Sequence, residues 1–144
     1  MSAPTPLDRL LARAAGRVVR LTPEQAWAEL GAGSRLIDLR ALEARARRGV
    51  VPGSLHVPLS VLQWRLDPGG TWRTPHVEAS ERVVLLCDDG CSSLLAAESL
   101  LEMGLDASDV VGGLAAWAEA GLPLIAADDA PLAAGELPGM RPPA

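Results

Sequence analysis

Residues 83–104 read VVLLCDDGCSSLLAAESLLEMG, and this stretch decides the fold. Its first four residues, 83–86, form a continuous apolar run, which is typical of a parallel strand covered on both faces. A helix follows, with an apolar side made by Leu94, Leu95, Ala97, Leu101 and Met103. We expect Ser92 or Ser93 to cap this helix and Gly104 to end it, because a glycine past the last turn adopts the left-handed conformation without penalty.

The loop between this strand and this helix begins with Cys87. A thiol at this position faces the first turn of a helix, where several backbone N–H groups lack helical partners. Those donors and the helix dipole stabilise an anion, so they favour a nucleophilic thiolate near neutral pH. The carboxylates of Asp88 and Asp89 act in the opposite direction. We expect the amides to dominate if both carboxylates point into water.

The seven loop residues form a distinctive pattern, Cys87-Asp88-Asp89-Gly90-Cys91-Ser92-Ser93. This pattern resembles the active-site loop of the rhodanese family, commonly written C-x-x-G-x-R-S. The resemblance implies that Cys87 is the catalytic residue, that it carries a sulfane sulfur as a persulfide, and that residues 88–93 bind this persulfide. Ser92 stands where the family often has Arg, so the usual handle for an oxyanion such as thiosulfate is missing.

Two further stretches carry the same resemblance, which extends from about residue 21 to residue 124. Residues 49–58 match the family's G-H-I-P-G-A-x-x-I-P, with Val50 in place of the common His. Residues 112–123 match the ending G-G-x-x-x-W…G-x-P, in which we interpret Trp117 as a core residue of the last helix.

Asp38 and Arg40 match the family's D-x-R signature at the end of a predicted strand, 36–40. A polar pair just past a buried strand would orient the neighbouring loops through charge-assisted hydrogen bonds. We therefore assign both residues a supporting role. The simpler interpretation, a structural ion pair or a helix cap, is the one we favour for them.

The alternation of apolar strands with helices predicts an α/β domain with a parallel sheet. The resemblance implies that this fold is rhodanese-like, with a central, mainly parallel sheet flanked by helices on both faces. Ligands of such folds bind at the carboxyl ends of the strands, where Cys87 is placed. We expect an N-terminal helical extension over 1–17, a rhodanese-like domain over 18–125, and a Pro/Ala-rich tail over 126–144.

The first third of the chain predicts a helix over 6–17, which we expect to pack across the domain rather than to mediate a dimer contact, and a short edge strand over 18–21. Thr22 then caps a second helix, with Pro23 at its first position and Gln25 completing a capping box. We expect the buried side of this helix to comprise Ala26, Trp27 and Leu30.

Between the two halves of the sheet the pattern is less regular. A turn at Pro52-Gly53 precedes a short strand over 54–57, and Ser60 is expected to cap a helix that contains Leu62, Trp64 and Leu66. Residues 72–80 are expected to be irregular and could border the mouth of the active site. The last strand is predicted over 109–111.

The 144 residues carry a net charge of −5, and all 13 basic residues are Arg. This charge argues against a nucleic-acid partner bound by a diffuse basic surface. We interpret the local cluster of Arg45, Arg47 and Arg48 as a solvated helix face. The abundance of Ala, Arg, Gly and Pro favours a bacterial source with a GC-rich genome.

No apolar run approaches the roughly 20 residues that span a bilayer, and the N-terminus lacks the features of a signal peptide. Two cysteines only four positions apart do not make a disulfide framework, so we expect a reducing cytoplasm and no membrane partner. The set of Cys87, Cys91, His56 and His76 lacks a metal-ligand pattern, so we predict no metal and no cofactor. His56 is expected to be an outward or half-buried strand residue.

We therefore predict a sulfurtransferase that moves sulfur from a small donor, such as thiosulfate or a persulfide, to cyanide, a thiol or an acceptor protein. Cys91 is either a resolving thiol or a loop residue without a role, and we favour the latter. A related phosphatase or arsenate reductase would need Arg where Ser93 stands. The remaining alternative is a non-catalytic binding or regulatory module that keeps the fold and the cysteine.

Overall fold

The computed structural model describes residues 2–129, so the predicted tail beyond position 129 lies outside the described residues. A five-stranded sheet forms the centre of the fold, with strand order β1-β5-β4-β2-β3 and every pair parallel. The strands are β1 (Val19–Leu21), β2 (Arg35–Asp38), β3 (Leu55–His56), β4 (Val83–Leu86) and β5 (Ala107–Val110). The predicted parallel α/β architecture is confirmed.

Helices cover both faces of this sheet, which is why β4 is buried along its whole length. They are α1 (Pro6–Ala15), α2 (Pro23–Gly31), α3 (Leu42–Arg48), α4 (Leu62–Leu66), α5 (Ser92–Glu102) and α6 (Gly113–Glu119). On one face Val83 and Leu85 pack in a core cluster that includes residues of α1, α4 and α5. On the other face Val84 and Leu86 pack with residues of α2 and α6.

The N-terminal helix α1 packs against α5, as expected, and Ala14 is fully buried in this contact. Thr5 and Asp8 form a complete capping box at its start, and Thr22 with Gln25 forms another at the start of α2. Both helix starts are thus fixed by local chemistry that the sequence already shows.

Two tryptophans keep much of their surface exposed, and for Trp27 this contradicts the predicted buried side of α2. Trp27 keeps 38% of its surface exposed and contacts Trp117 edge to face, with ring centroids 5.9 Å apart. Trp64 is 55% exposed on the short helix α4, and Ser60 does not cap that helix because it lies within a 3₁₀ turn that precedes it. Trp117 itself is fully buried, as predicted.

Residues 72–80 are irregular, as predicted, but they do not border the site that contains Cys87. Arg35, the first residue of β2, donates a hydrogen bond to the carbonyl of His76, and Val77 packs into the core cluster of that face. The segment therefore lies at the amino ends of the strands, whereas Cys87 follows the carboxyl end of β4. Within residues 2–129, none of the helices has the length and apolarity that crossing a membrane requires.

Candidate active site

Cys87 directly follows β4 at the carboxyl edge of the sheet and is only 4% exposed. Its sulfur does not lie among aliphatic side chains alone. The backbone amide of Gly90 donates to Sγ at 3.0 Å, and the amide of Ser93 donates to it at 3.3 Å. Two N–H groups of one loop thus converge on one sulfur atom, an arrangement that stabilises negative charge there.

The loop holds this shape because it packs directly against the backbone that opens α6. Gly90 has a φ of +90°, and a Cβ at this position would lie 2.7 Å from the nitrogen of Gly112. The amide of Leu114 donates to the Cys87 carbonyl at 2.8 Å, and the amide of Ala115 donates to the Asp88 carbonyl at 3.1 Å. Glycine is required at position 90 both for its φ and for this close approach.

The expected capping role of Ser92 and Ser93 is wrong. Both residues lie inside α5, and Cys91 occupies the N-cap without a side-chain cap. Cys91 is already in the right-handed helical region, at φ −89° and ψ −55°, so the chain enters the helix too early for either serine to cap it. The amide of Ser93 is directed at the Cys87 sulfur instead, and Ser92 lines the adjoining pocket.

The two aspartates of the loop are exposed, but they differ in their contacts. Asp89 Oδ1 accepts a hydrogen bond from the amide of Cys91 at 3.0 Å and lies 3.9 Å from the Cys87 sulfur. Asp88 lines the pocket. Our expectation that the amides dominate depended on both carboxylates pointing into water, and Asp89 does not meet this condition, because its side chain closes a local turn within the loop.

Cys91 is exposed, and its amide is not one of the two that donate to the Cys87 sulfur. Both cysteines are free thiols. The nearby Asp89 carboxylate raises the pKa of the Cys91 thiol, with burial adding to the effect. Cys91 is consequently less readily ionised than an ordinary exposed thiol, and its amide donates to Asp89 rather than to the sulfur of Cys87.

A pocket of about 500 Å³ opens beside Cys87 at the carboxyl ends of β2, β3 and β4. The residues that line it are Leu39, Arg40, Ala41, Leu42, His56, Pro58, Leu59, Ser60, Cys87, Asp88 and Ser92. Most of these side chains are apolar or uncharged. The pocket therefore offers a small molecule an apolar wall and a single buried thiol.

A buried ion cluster supports one wall of this pocket. Asp38 accepts hydrogen bonds from Arg40 Nε at 3.0 Å and Nη2 at 2.9 Å, and from Arg45 Nη1 at 2.6 Å. Arg40 Nη2 also donates to the carbonyl of Gly49 at 2.8 Å, while the buried Nη1 of Arg40 has no hydrogen-bond partner among the described residues. Asp38 and Arg40 thus form the structural ion pair that we favoured on sequence grounds.

The interpretation of Arg45 as part of a solvated helix face is wrong. Arg47 and Arg48 are exposed, but Arg45 is buried and donates to Asp38. Because α3 begins soon after β2 ends, its inner face lies over the Asp38 carboxylate, and a buried arginine needs such a partner. The spacing of the three arginines alone could not separate the inner residue from the outer two.

His56 is also more deeply placed than predicted. It is buried at the end of β3, and its Nε2 lies 2.8 Å from the carbonyl oxygen of Arg40. Burial lowers the pKa of His56, and the nearby guanidinium of Arg45 adds to this decrease. The neutral ring then donates its Nε2 hydrogen to the Arg40 carbonyl and fixes the segment that follows β2.

The lowered pKa of His56 predicts a specific loss of stability in mild acid. Below about pH 6.5 the unfolded chain binds a proton on His56 that the folded chain does not, so the free energy of unfolding should fall by up to about 1.4 kcal/mol per pH unit. Urea denaturation at several pH values between about 7.5 and 5.5 measures this slope. His56→Gln should have a shallower slope than the wild type; equal slopes would contradict the assignment.

Sequence reasoning missed Arg20 and Asp109. Arg20 of the edge strand β1 pairs in register with Asp109 of β5, and its Nε and Nη2 each donate to the carboxylate at 2.9 Å. Arg20 Nη2 also donates to the carbonyl of Gly90 at 2.6 Å. One signal was available: a charged residue within the short buried strand Ala107–Val110 requires a partner.

Comparisons with known proteins agree with this fold. Residues 22–120 match the family described as the rhodanese-like domain. A curated protein from Allochromatium vinosum, named sulfurtransferase, is 28% identical over 92 residues, which cover 63% of this chain and 78% of that protein.

Solved structures extend the comparison. A protein of unknown function from Rhodopseudomonas palustris, described as a possible tyrosine phosphatase, superposes with a TM-score of 0.78 at 28% identity, covering 87% of this chain and 98% of the other. A thiosulfate sulfurtransferase from Pseudomonas aeruginosa has a TM-score of 0.62 at 26% identity, covering 76% of this chain and 20% of that longer one.

Proposed function

The chain belongs to the rhodanese-like domain family, and on that premise we propose that it transfers a sulfane sulfur through a persulfide on Cys87. At the level of the family, the match and the sulfurtransferase relative support a rhodanese-like sulfurtransferase. The observation that carries the proposal is the convergence of the Gly90 and Ser93 amides on the Cys87 sulfur.

The reaction has two steps. In the first, the Cys87 thiolate attacks the outer sulfur of a donor; a new S–S bond forms, the bond between that sulfur and the donor breaks, and the donor leaves with the electron pair. In the second, an acceptor such as cyanide or a thiolate attacks the outer sulfur of the Cys87 persulfide. The acceptor–sulfur bond forms, the Cys87 S–S bond breaks, and the Cys87 thiolate is regenerated.

The loop amides serve both steps. Negative charge rests on the Cys87 sulfur before the first step and returns to it in the second, and the two N–H donors are already oriented toward that atom. Oriented donors at a buried site stabilise such charge without reorganisation. The Cys87 thiolate is the leaving group of the second step, and the two N–H donors make its departure easier.

The lining of the pocket favours a donor that is not a small dianion. Among the lining residues the positive side chain is Arg40, whose charge is paired with the buried carboxylate of Asp38, while Asp88 adds negative charge at the mouth. We propose that the donor is a persulfide on an uncharged or positively charged carrier, with thiosulfate a poor substitute.

Ser92→Arg tests this specificity, because it restores a guanidinium at the mouth of the pocket. We expect kcat/KM for thiosulfate to rise by about tenfold or more, the size of one charge-assisted hydrogen bond, with little gain for an uncharged alkyl persulfide. Ser92→Gln has similar reach without the charge and should show no such selective gain. A thiosulfate activity that is high in the wild type and unchanged in Ser92→Arg would contradict the proposal.

Phosphatase activity, suggested by the description of the Rhodopseudomonas palustris structure, has less support in this chain. A phosphate-binding loop of the C-x5-R type needs a guanidinium at the position of Ser93, whose side chain is neutral and hydrogen-bonded to Asp109.

Sulfur transfer by the full chain is tested by incubation with an alkyl persulfide and cyanide, followed by measurement of thiocyanate. Thiocyanate above the protein-free rate supports transfer, whereas its absence favours a non-catalytic binding module.

A further inference from the structure

The hydroxyl of Ser93 lies between the reactive sulfur and a buried carboxylate. It donates to Asp109 Oδ2 at 2.8 Å, while its oxygen accepts a hydrogen bond from the Cys87 thiol at 3.3 Å. All three groups are buried. A carboxylate can only accept, and the hydroxyl has one hydrogen to give, so Asp109 and a Cys87 thiolate compete for that hydrogen.

Arg20 changes the outcome of this competition. Its Nη2 donates at 2.9 Å to the same Asp109 oxygen that accepts from Ser93. If the Ser93 hydroxyl rotates toward the sulfur, Asp109 Oδ2 still keeps a charged donor. Without Arg20, the same rotation would leave a buried carboxylate oxygen with no partner on that side, which is costly.

Arg20 also acts on the loop directly. The same Nη2 atom donates to the carbonyl of Gly90 at 2.6 Å, and Gly90 supplies one of the two amides that reach Cys87. One guanidinium thus holds the residue that carries the first amide and, through Asp109, the residue that carries the second. Arg20 comes from β1, at the edge of the sheet and far from the loop in sequence.

We propose that Arg20 and Asp109 are positioning residues of the sulfur site, and that they control through Ser93 whether a hydroxyl hydrogen is offered to the Cys87 sulfur. With Cys87 as a thiol, the Ser93 hydroxyl donates its hydrogen bond to Asp109, and the thiol donates to the Ser93 oxygen. When the thiol proton leaves to water, the hydroxyl turns to the thiolate and becomes its third donor beside two amides. This inference deepens the proposed function and rests on it for its role in sulfur transfer.

The test measures the ionised fraction of Cys87 without any sulfur donor. In a Cys91→Ser background, the rate of alkylation by iodoacetamide at pH 7 is divided by its plateau rate at high pH, which removes differences in access. Asp88, Asp89, Arg40 and His56, the other charged or titratable groups around the sulfur and its pocket, are kept unchanged.

Opposite effects are expected from the two members of the ion pair. Ser93→Ala should lower the ionised fraction by about tenfold, the size of one hydrogen bond to a charged atom. Arg20→Met should lower it as well, because the Ser93 hydroxyl then keeps its hydrogen bond to Asp109. Asp109→Asn should raise it by about threefold or more, because the hydroxyl is released and a negative charge is removed. A purely structural pair would move both variants in the same direction.

The double variants decide whether the effect passes through Ser93. The gain from Asp109→Asn should shrink by about threefold or more when Ser93 is also Ala, since the released hydrogen no longer exists. Equal gains in both backgrounds, or losses in both single variants, would overturn the inference. If Asp109→Asn does not fold, Arg20→Met with and without Ser93→Ala completes the same comparison.

The two proposals can fail separately. A wild-type chain that forms no thiocyanate, while the alkylation pattern is as described, would refute sulfur transfer and leave the control of the thiol intact. A chain that transfers sulfur, but in which the alkylation effects of the single variants simply add in the double variants, would refute only the role of Arg20 and Asp109 and leave sulfur transfer intact.

Discussion

Cys87→Ser is expected to reduce sulfur transfer from an alkyl persulfide to cyanide by on the order of 10³-fold or more, as for loss of a nucleophile. A serine hydroxyl is a weak nucleophile unless a neighbouring base activates it. The groups closest to the Cys87 sulfur are two amide donors and a hydroxyl, and Asp89 Oδ1 lies 3.9 Å away and accepts from the amide of Cys91. Thiocyanate formation under steady-state conditions measures the loss. The substitution removes little volume, so the fold should persist.

Cys91→Ser is the matched control for this experiment, because it makes the same chemical change four residues away. The Cys91 thiol is exposed and its amide serves Asp89, so most of the transfer activity should remain. If Cys91→Ser abolished transfer and Cys87→Ser did not, the assignment of the nucleophile would be reversed.

Asp38→Ala is expected to lower the free energy of unfolding by about 3–5 kcal/mol. This one carboxylate is fully buried and faces two buried guanidinium groups, those of Arg40 and Arg45. Its removal leaves both positive charges without a counter-ion, and breaking a buried pair in this way costs far more than the pair contributes over an apolar replacement. Chemical denaturation at pH 7 measures the change.

Glu102→Gln provides the control for Asp38→Ala. Glu102 also accepts from an arginine, Arg17, at 2.6 Å, but both side chains are exposed, so the loss should stay below about 1 kcal/mol. Similar losses in the two variants would mean that burial of the Asp38 cluster has no special energetic weight. Asp38→Ala should also impair the pocket wall that Arg40 helps to form.

The fold was largely predictable because its signals are local. The apolar run 83–86, Gly104 and the two capping boxes each act within a few residues, and the strand and helix bounds follow them closely. Burial was harder to predict where two elements meet. The exposure of Trp27 and the burial of Arg45 depend on which neighbour covers each helix face.

The candidate site was predictable only in part, for the same reason. The position of Cys87 at a strand end follows from the order of elements, and so does its proximity to a helix start. The pairing of Arg20 with Asp109 requires that β1 lies next to β5, strands separated by most of the chain. Ser93 could not be assigned to Asp109 from its spacing, because a serine near a helix start more often caps the helix.

The most direct test locates the transferred sulfur. The full chain is incubated with an alkyl persulfide, digested, and analysed by peptide mass spectrometry before and after addition of cyanide. We predict one added sulfur atom on Cys87, lost to cyanide as thiocyanate. No sulfur on Cys87, or sulfur on Cys91 alone, would contradict the central claim that the two loop amides hold a reactive Cys87 sulfur.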